Sequence, residues 1–293
     1  MTQAAPNSSP LTIRRATPAD AAVCGPICYE AFRDIAQRHG FPPDIATPAE
    51  AEQMLAFMFS TPGFFSIVAE QSGEIVGSNC MFEADTIASI GPVTVAPSAQ
   101  NSSVGRRLMQ AVLDRAASNK QRGIRLVQSA YHPRSLSLYA KLGFVVRETL
   151  AVLHGDPPSF SLPSAHVRPA TPSDAAACNQ LCREVHGHDR QHELSGVFHH
   201  RAALIVEREG RITAYTTGIG FLGHSIAKSN DDLKLLIAAT PQFSGPGFLV
   251  PMRNAELLRW CLDQHLQIKF VATLMSIGLY NEPQGAWLPS IAY

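Results

Sequence analysis

The sequence predicts a mixed α/β fold built twice, as two tandem domains in which a mixed central sheet is flanked by helices. Three observations predict it: a near-repeat at an offset of 154 residues, a hairpin pattern at matching places in each copy, and an alternation of β-branched runs with amphipathic stretches. The length of 293 residues exceeds that of one typical domain. With 45% hydrophobic and 16% charged residues, both copies can bury a core.

The repeat is clearest at its start. "ATPADAAVCGPIC" (Ala16 to Cys28) returns as "ATPSDAAACNQLC" (Ala170 to Cys182), each copy has an arginine two residues upstream (Arg14, Arg168), and Glu30 recurs as Glu184. Each copy predicts a short strand feeding an amphipathic helix. Thr17 and Thr171 cap it, Pro18 and Pro172 take the first helical position, and Asp20 and Asp174 face the positive end of the helix dipole. A second helical stretch, "TPAEAEQMLAFMF", follows in the first copy.

Next come "SIVAEQSGEIVGSN" (Ser66 to Asn79) and "ALIVEREGRITAYT" (Ala203 to Thr216), each two β runs around a turn, with Gly73 matching Gly210. Near the ends, "LGFVVRETLAVL" from Leu142 aligns with "LQIKFVATLMSI" from Leu266, so Thr149-Leu150 meet Thr273-Leu274. The aperiodic, Pro- and Ser-rich "HGDPPSFSLPSAH" (His154 to His166) reads as a linker. The expected domains are therefore 1–156 and 164–293.

Composition narrows the partners. Lys plus Arg equals Asp plus Glu at 24 each, which leaves no net field to gather nucleic acid or an anionic membrane surface. No export signal and no membrane-spanning run is apparent, so a cytoplasmic location and a small-molecule partner are expected, in a monomer or homodimer. Six cysteines do not form a disulfide scaffold here. The pairs Cys24/Cys28 and Cys178/Cys182 share a helix face and read as apolar filler rather than metal ligands.

The chemistry centres on "VTVAPSAQNSSVGRRLM" (Val93 to Met109), a β run, a small-residue loop and then a helix predicted over 104–118. Leu108, Ala111, Val112 and Arg115 place one face of that helix on the sheet. Amides at its start, reached through small residues, suit a phosphate. The loop has neither a Gly-Lys-Ser/Thr ending nor G-x-G-x-x-G, which argues against ATP and NAD.

The segment resembles motif A of the GNAT N-acetyltransferase superfamily, in which a strand ending in Val-x-Pro leads to Gln/Arg-x-x-Gly-x-Gly/Ala around the pyrophosphate of acetyl-CoA. Here it reads Val95-Ala96-Pro97, then Gln100-Asn101-Ser102-Ser103-Val104-Gly105, with Leu108 in register. Ser103 stands where the family usually has its first glycine; if φ is positive there, the strain costs about 1–2 kcal/mol. "HPRSLSLYAKLGFVVRE" (His132 to Glu148) resembles motif B, with Tyr139, Gly143 and Phe144 matching and His132 in the place of Asn. A helix from about Ser135 to a cap at Gly143, then a strand, accounts for that spacing.

The resemblance implies an α+β GNAT fold and an acetyl-CoA-dependent acyltransferase acting on a primary amine. It implies that the backbone of Val93, Thr94 and Val95 holds the pantetheine arm, that Gln100, Asn101, Ser102, Ser103, Val104, Gly105 and Arg106 cradle pyrophosphate, and that Tyr139 protonates sulfur. His132 and Ser135, at the entry of the Tyr139 helix, complete the cofactor set. Candidate bases are Glu83, Asp85, Glu30 and Asp34, of which Glu83 is taken forward; a water relay is the alternative. No metal is expected: the run "HGHDRQHELSGVFHH" (His186 to His200) lacks His-Glu-x-x-His and reads as a polar loop or helix end.

The second copy keeps the scaffold and loses the chemistry. Its loop position holds "HSIAKSNDDLKLLIAA", and aligning "GFLVPMRN" with "GIRLVQSA" sets Asp263 opposite Tyr139. A degenerate half that helps to form the acceptor pocket is expected. A non-catalytic acyl-CoA sensor and a protein or peptide N-acetyltransferase are the alternatives.

Overall fold

The structure, a computed structural model, describes residues 10–198 and 202–292. The chain forms two compact units, Met1–Phe82 with Ile90–Asn119, and Glu83–Ser89 with Lys120–Tyr293. They do not part where the repeat does, near residues 156–164.

The first unit opens with β1 (Thr12–Arg15), a short 3-10 turn, α1 (Ala21–Arg38) and α2 (Pro48–Ser60). Next come β2 (Phe64–Gln71), β3 (Glu74–Phe82), the larger part of β4 (Ile87–Val95) and α3 (Val104–Ser118). Strands run in the order β1-β2-β3-β4. The pattern Cys24, Cys28, Ala51, Leu55, Met58 and Phe59 closes the two helices over Val68 and Cys80, so the first cysteine pair is apolar filler, as its spacing suggested. Burial pushes the Cys24 thiol up to about 12 and the Cys28 thiol higher still.

The second unit contains the first residues of β4, then β5 (Gly123–Ser129), α4 (Pro133–Lys141) and β6 (Val145–His154). The second copy supplies β7 (His166–Pro169), α5 (Ala175–His186), α6 (Gln191–Val197), β8 (Leu204–Arg208), β9 (Arg211–Thr216) and β10 (Ser225–Ala227). It ends with α7 (Asn230–Ala239), β11 (Phe248–Pro251), α8 (Ala255–Asp263), β12 (Gln267–Gly278) and β13 (Ala286–Leu288). One set of strands runs β4-β5-β12-β6-β11 and the other β13-β10-β9-β8-β7. The linker is packed rather than loose: Phe160 and Leu162 lie against the core, and the Phe160 ring meets Trp260 at 5.7 Å.

The two copies repeat in atomic detail. Arg14 donates to both oxygens of Asp20 (2.8 and 2.9 Å) and to Glu70 (2.8 Å), and Arg168 donates likewise to Asp174 (2.8 and 2.9 Å) and Glu207 (2.9 Å). The same carboxylates accept the N–H of Thr17 (2.7 Å) and Thr171 (2.8 Å), tying each first strand to the helix it feeds. Arg168 holds the Asp174 carboxyl down to about 2. Each hairpin turns on two residues of positive φ, Ser72 and Gly73 (55° and 81°) or Glu209 and Gly210 (51° and 72°), the twist that matches paired strands.

Sequence similarity between the ends of the copies has a structural reason. β12 pairs antiparallel with β5 on one side and β6 on the other, while β6 pairs with β11. From β5 onward first-copy and second-copy strands therefore alternate, β12 lying between two strands of the first copy and β6 between two strands of the second. Thr149 and Thr273, matched by alignment, face each other in the ladder.

Truncating the chain after Asp156 removes the common partner of β5 and β6. Such a fragment is expected to lack a cooperative melting transition by circular dichroism; a transition like that of the full chain contradicts the interleaved pairing.

Candidate active site

In the first unit, Thr94 points inward, its hydroxyl 2.9 Å from Ser78 Oγ, so Val93 and Val95 present the opposite face of β4 by strand alternation. Gly77 on β3 permits this layer: a Cβ there would lie 2.5 Å from the Thr94 carbonyl oxygen and 3.2 Å from a Leu108 methyl. Past Val95 the chain makes a short turn at Pro97–Ala99. Gln100 Nε2 then donates back to the Val95 carbonyl at 3.3 Å, and Ser102 Oγ donates to the Ala99 carbonyl.

Two residues without glycine's freedom turn the loop through the left-handed region, Asn101 (φ 68°) and Ser103 (φ 66°). The condition for strain at Ser103 is met, and its side chain makes no capping bond in return. The first helical bond runs from Arg107 N–H to the Ser103 carbonyl (3.0 Å), so the amides of Val104, Gly105 and Arg106 have no intrahelical acceptor. α3 is fixed by buried Val104, Leu108, Met109, Val112 and Ala116, while Asn79 Nδ2 donates to the Leu108 carbonyl (3.3 Å). Asn101, Ser102, Ser103 and Arg106 are exposed, and Gly105 is partly buried. The loop thus ends in a helix start whose first amides are free of intrahelical acceptors.

In the second unit, His132 caps α4 by accepting the Ser135 N–H on Nδ1 (3.2 Å), with Pro133 at the first helical position. Gly143 (φ 96°) ends the turn, and Phe144 N–H bonds the Tyr139 carbonyl at 3.0 Å. Tyr139 is 8% exposed, its ring edge-on to Phe144 and its hydroxyl bonded to the Ser135 side chain. Burial pushes this phenol up to about 12, which keeps it protonated through the neutral range.

The candidate bases separate. Glu83 follows β3, partly buried, and its carbonyl accepts from Gln121 Nε2 (2.7 Å). Asp85 is committed elsewhere, accepting the N–H groups of His192 (3.0 Å) and Glu193 (3.1 Å) at the start of α6. Asp34 pairs with Arg38 at 3.0 Å, and Glu30 lies exposed on α1.

The second copy departs at three points. Lys228 and Ser229 alone separate β10 from α7, where the first copy spends Ala96–Ser103. β13 pairs antiparallel with β10, Ile226 opposite Trp287. In α8, capped by Asn254, the bond from Leu266 N–H to the Cys261 carbonyl (3.1 Å) repeats the Phe144–Tyr139 bond. Cys261, not Asp263, is therefore the counterpart of Tyr139; the expected register was off by two residues because the intervening loops carry no sequence marker.

The histidine-rich run behaves differently from an ordinary solvated loop. His186, at the end of α5, and His188 are buried with ring centroids 5.4 Å apart, while His199 and His200 lie outside the described residues. Nearby, Glu193 sits 3.2 Å from Arg190 and 3.1 Å from His224 Nδ1, and His224 Nε2 is hydrogen-bonded to Tyr215 (3.1 Å). Burial opposes the Glu193 charge, but His224 and Arg190 outweigh it and hold the carboxyl at about 2. Nothing in the sequence announced this network, since its members come from α5, α6, β9 and the turn before β10. Among the described residues no group of three or more His, Cys, Asp or Glu is placed to hold a metal ion, and no helix is long and apolar enough to cross a membrane.

These features define a protein with the mixed α/β fold of the acetyltransferases, and comparison with known proteins makes the assignment specific. Residues 29–144 match the acetyltransferase (GNAT) family. An IAA acetyltransferase of Azospirillum brasilense is 30% identical over 117 residues, spanning 39% of this chain and 76% of that protein. The crystal structure of a Pyrococcus horikoshii protein described as an acetyltransferase superposes with a TM-score of 0.71 at 18% identity, covering 94% of both chains. A GCN5-related N-acetyltransferase of Sphaerobacter thermophilus gives a TM-score of 0.61 at 14% identity over 94% of this chain and 98% of its own. The chain belongs to the GNAT acetyltransferase family and is an acyltransferase.

Two outcomes follow from the geometry. Ser103→Val, a β-branched residue forced into the left-handed region, is expected to lower stability by about 1–2 kcal/mol in a urea titration, whereas Ser103→Gly is not expected to lower it. Burial, with Arg190 and Arg125 adding to it, pushes His188 down to about 3, below its ordinary 6.5. The unfolded chain thus binds the extra proton, and stability falls as pH drops from 6.5 toward 3. Denaturation midpoints measured across that range test this, and His188→Gln should flatten the slope.

Proposed function

We propose that the protein is an acetyl-CoA-dependent N-acetyltransferase that transfers an acetyl group to a primary amine of a small-molecule acceptor. The observation that carries this is the Gln100–Arg106 bend, which enters α3 with three amides lacking intrahelical acceptors. Gln100, Asn101, Ser102, Ser103, Val104, Gly105 and Arg106 bind the diphosphate, Arg106 as a cation beside the helix start. The backbone of Val93, Thr94 and Val95 receives the pantetheine arm and donates to the thioester oxygen as charge develops on it. His132 and Ser135 set the start of α4 and thereby the position of Tyr139.

Glu83 is assigned the base. It takes a proton from the acceptor nitrogen, whose lone pair forms the new C–N bond at the thioester carbon. As the C–S bond breaks, Tyr139 gives its phenolic proton to sulfur. Burial keeps the Tyr139 phenol protonated through the neutral range, so the proton assigned to sulfur is on the group when the C–S bond breaks.

The second copy binds no acyl-CoA in this proposal: its loop is reduced to two residues, and β13 occupies the free side of β10. Calorimetry with coenzyme A is expected to give one site per chain. Tyr139→Phe should lower kcat at least about tenfold while leaving coenzyme A affinity within about twofold. Equal turnover of that variant removes Tyr139 from the mechanism, and absence of coenzyme A association removes the proposal.

A further inference from the structure

α6 starts without help from its own N-terminal residue: Arg190, in the capping place, makes no side-chain capping bond. Its counterpart by position in the first copy, α2, is capped locally, Thr47 Oγ1 accepting the Glu50 N–H at 3.2 Å. For α6 the acceptors come from the first copy. Asp85 Oδ1 takes the His192 N–H (3.0 Å) and Oδ2 the Glu193 N–H (3.1 Å), across 107 and 108 residues of chain. Asp189 Oδ1 accepts the other first-turn amide, that of Gln191 (2.9 Å).

The helix that receives Asp85 is itself anchored. Arg190 N–H donates to Asn179 Oδ1 on α5 (2.8 Å), and the Glu193 carboxylate sits 3.2 Å from Arg190 and 3.1 Å from His224 Nδ1. Residues 83–86, which link β3 to β4, form neither helix nor strand. At one end of this turn the Glu83 carbonyl accepts from Gln121 Nε2 (2.7 Å), and past the other end Ile87–Ser89 pair with Gly123–Arg125 of β5. Asp85 supplies the third tie, two residues from the carboxylate assigned as base. β5 leads in turn to α4 and Tyr139, and all of these residues lie in the second unit.

Burial raises the Asp85 carboxyl above its ordinary range, against the pull of the two N–H groups it accepts. A carboxylate withdrawn from water is a costly cap for a helix that a local Ser, Thr or Asn would cap as well. What Asp85 adds, and a local cap does not, is a fixed turn beside Glu83. We propose that Asp85 is a positioning residue for acetyl transfer: by capping α6 it makes the second copy hold the turn that carries Glu83. This rests on the assignment of Glu83 as base and extends it to the part played by the second copy. A base on a loose turn spends time out of line with the acceptor nitrogen, so loss of the tie lowers turnover and leaves coenzyme A binding alone.

The test uses the full chain. In Asp85→Ala, hydrogen exchange read by mass spectrometry should speed up at least about tenfold in residues 83–86 as well as at the start of α6; unchanged exchange in 83–86 overturns the proposal. Turnover is followed as thiol release from acetyl-CoA with n-butylamine, 1,4-diaminobutane and 2-phenylethylamine as probes. With an amine that the parent acetylates, Asp85→Ala should lower kcat at least about tenfold, with coenzyme A affinity by calorimetry within about twofold. In a Glu83→Ala background the same substitution should change kcat by less than about twofold, because no base is left to position. Equal fold losses in the two backgrounds, or no loss in the parent, overturn the proposal. Asp85→Asn, which keeps one acceptor oxygen, should show the same pattern with a smaller loss and replaces Asp85→Ala if that variant does not fold. Full activity of Glu83→Ala removes the base assignment and this proposal with it while acetyl transfer stands; absence of thiol release by the parent with every amine overturns the acetyltransferase reading itself.

Discussion

The ladder between β6 and β12 is the constraint on which the rest of the second unit depends. β12 gives one edge to β5 and the other to β6, and β6 gives its far edge to β11. Backbone groups in the middle of this array have no alternative partners once water is excluded, so the two copies must fold together at this point. Thr149 and Thr273 mark the centre of the exchange: they are equivalent in sequence and opposite in the ladder. A duplicated chain whose β6 and β12 interleave holds β5, and the helix that joins it to β6, in place through residues more than a hundred positions away.

The loop before α3 represents a different compromise. The chain turns tightly into α3, and it does so with Asn101 and Ser103 in the left-handed region rather than with glycine. The strain is borne by the surrounding structure, chiefly the buried face of α3 and the Gln100 bond back to β4. Strain of this kind is what a functional loop tolerates and a merely connecting loop does not need.

Within the second copy the same scaffold carries a different loop and a different helix residue. The Arg168–Asp174–Glu207 cluster, the two-residue hairpin turn and the helix caps are all retained, because each satisfies buried or strained backbone. The second copy lacks the small-residue loop, has Cys261 at the place of Tyr139, and pairs β10 with β13. Local stability imposes its own demands on the sequence, and these are met in both copies.

Much of this was legible in the sequence. Local signals wrote out the duplication, the hairpins, the α3 boundaries, the cap at Gly143 and the family motifs, because turn chemistry and helix periodicity act over a few residues. The Arg14–Asp20 and Arg168–Asp174 pairs were visible as a repeated spacing, although their third members, Glu70 and Glu207, were not. Tertiary structure decided what depends on distant partners. It interleaved β6 with β12, placed Cys261 at the counterpart of Tyr139, and turned Asp85 into a helix cap. Pairing of strands and burial of charge are properties of the whole packed chain, and a linear pattern with a period of two or 3.6 residues does not encode which segment arrives to meet it.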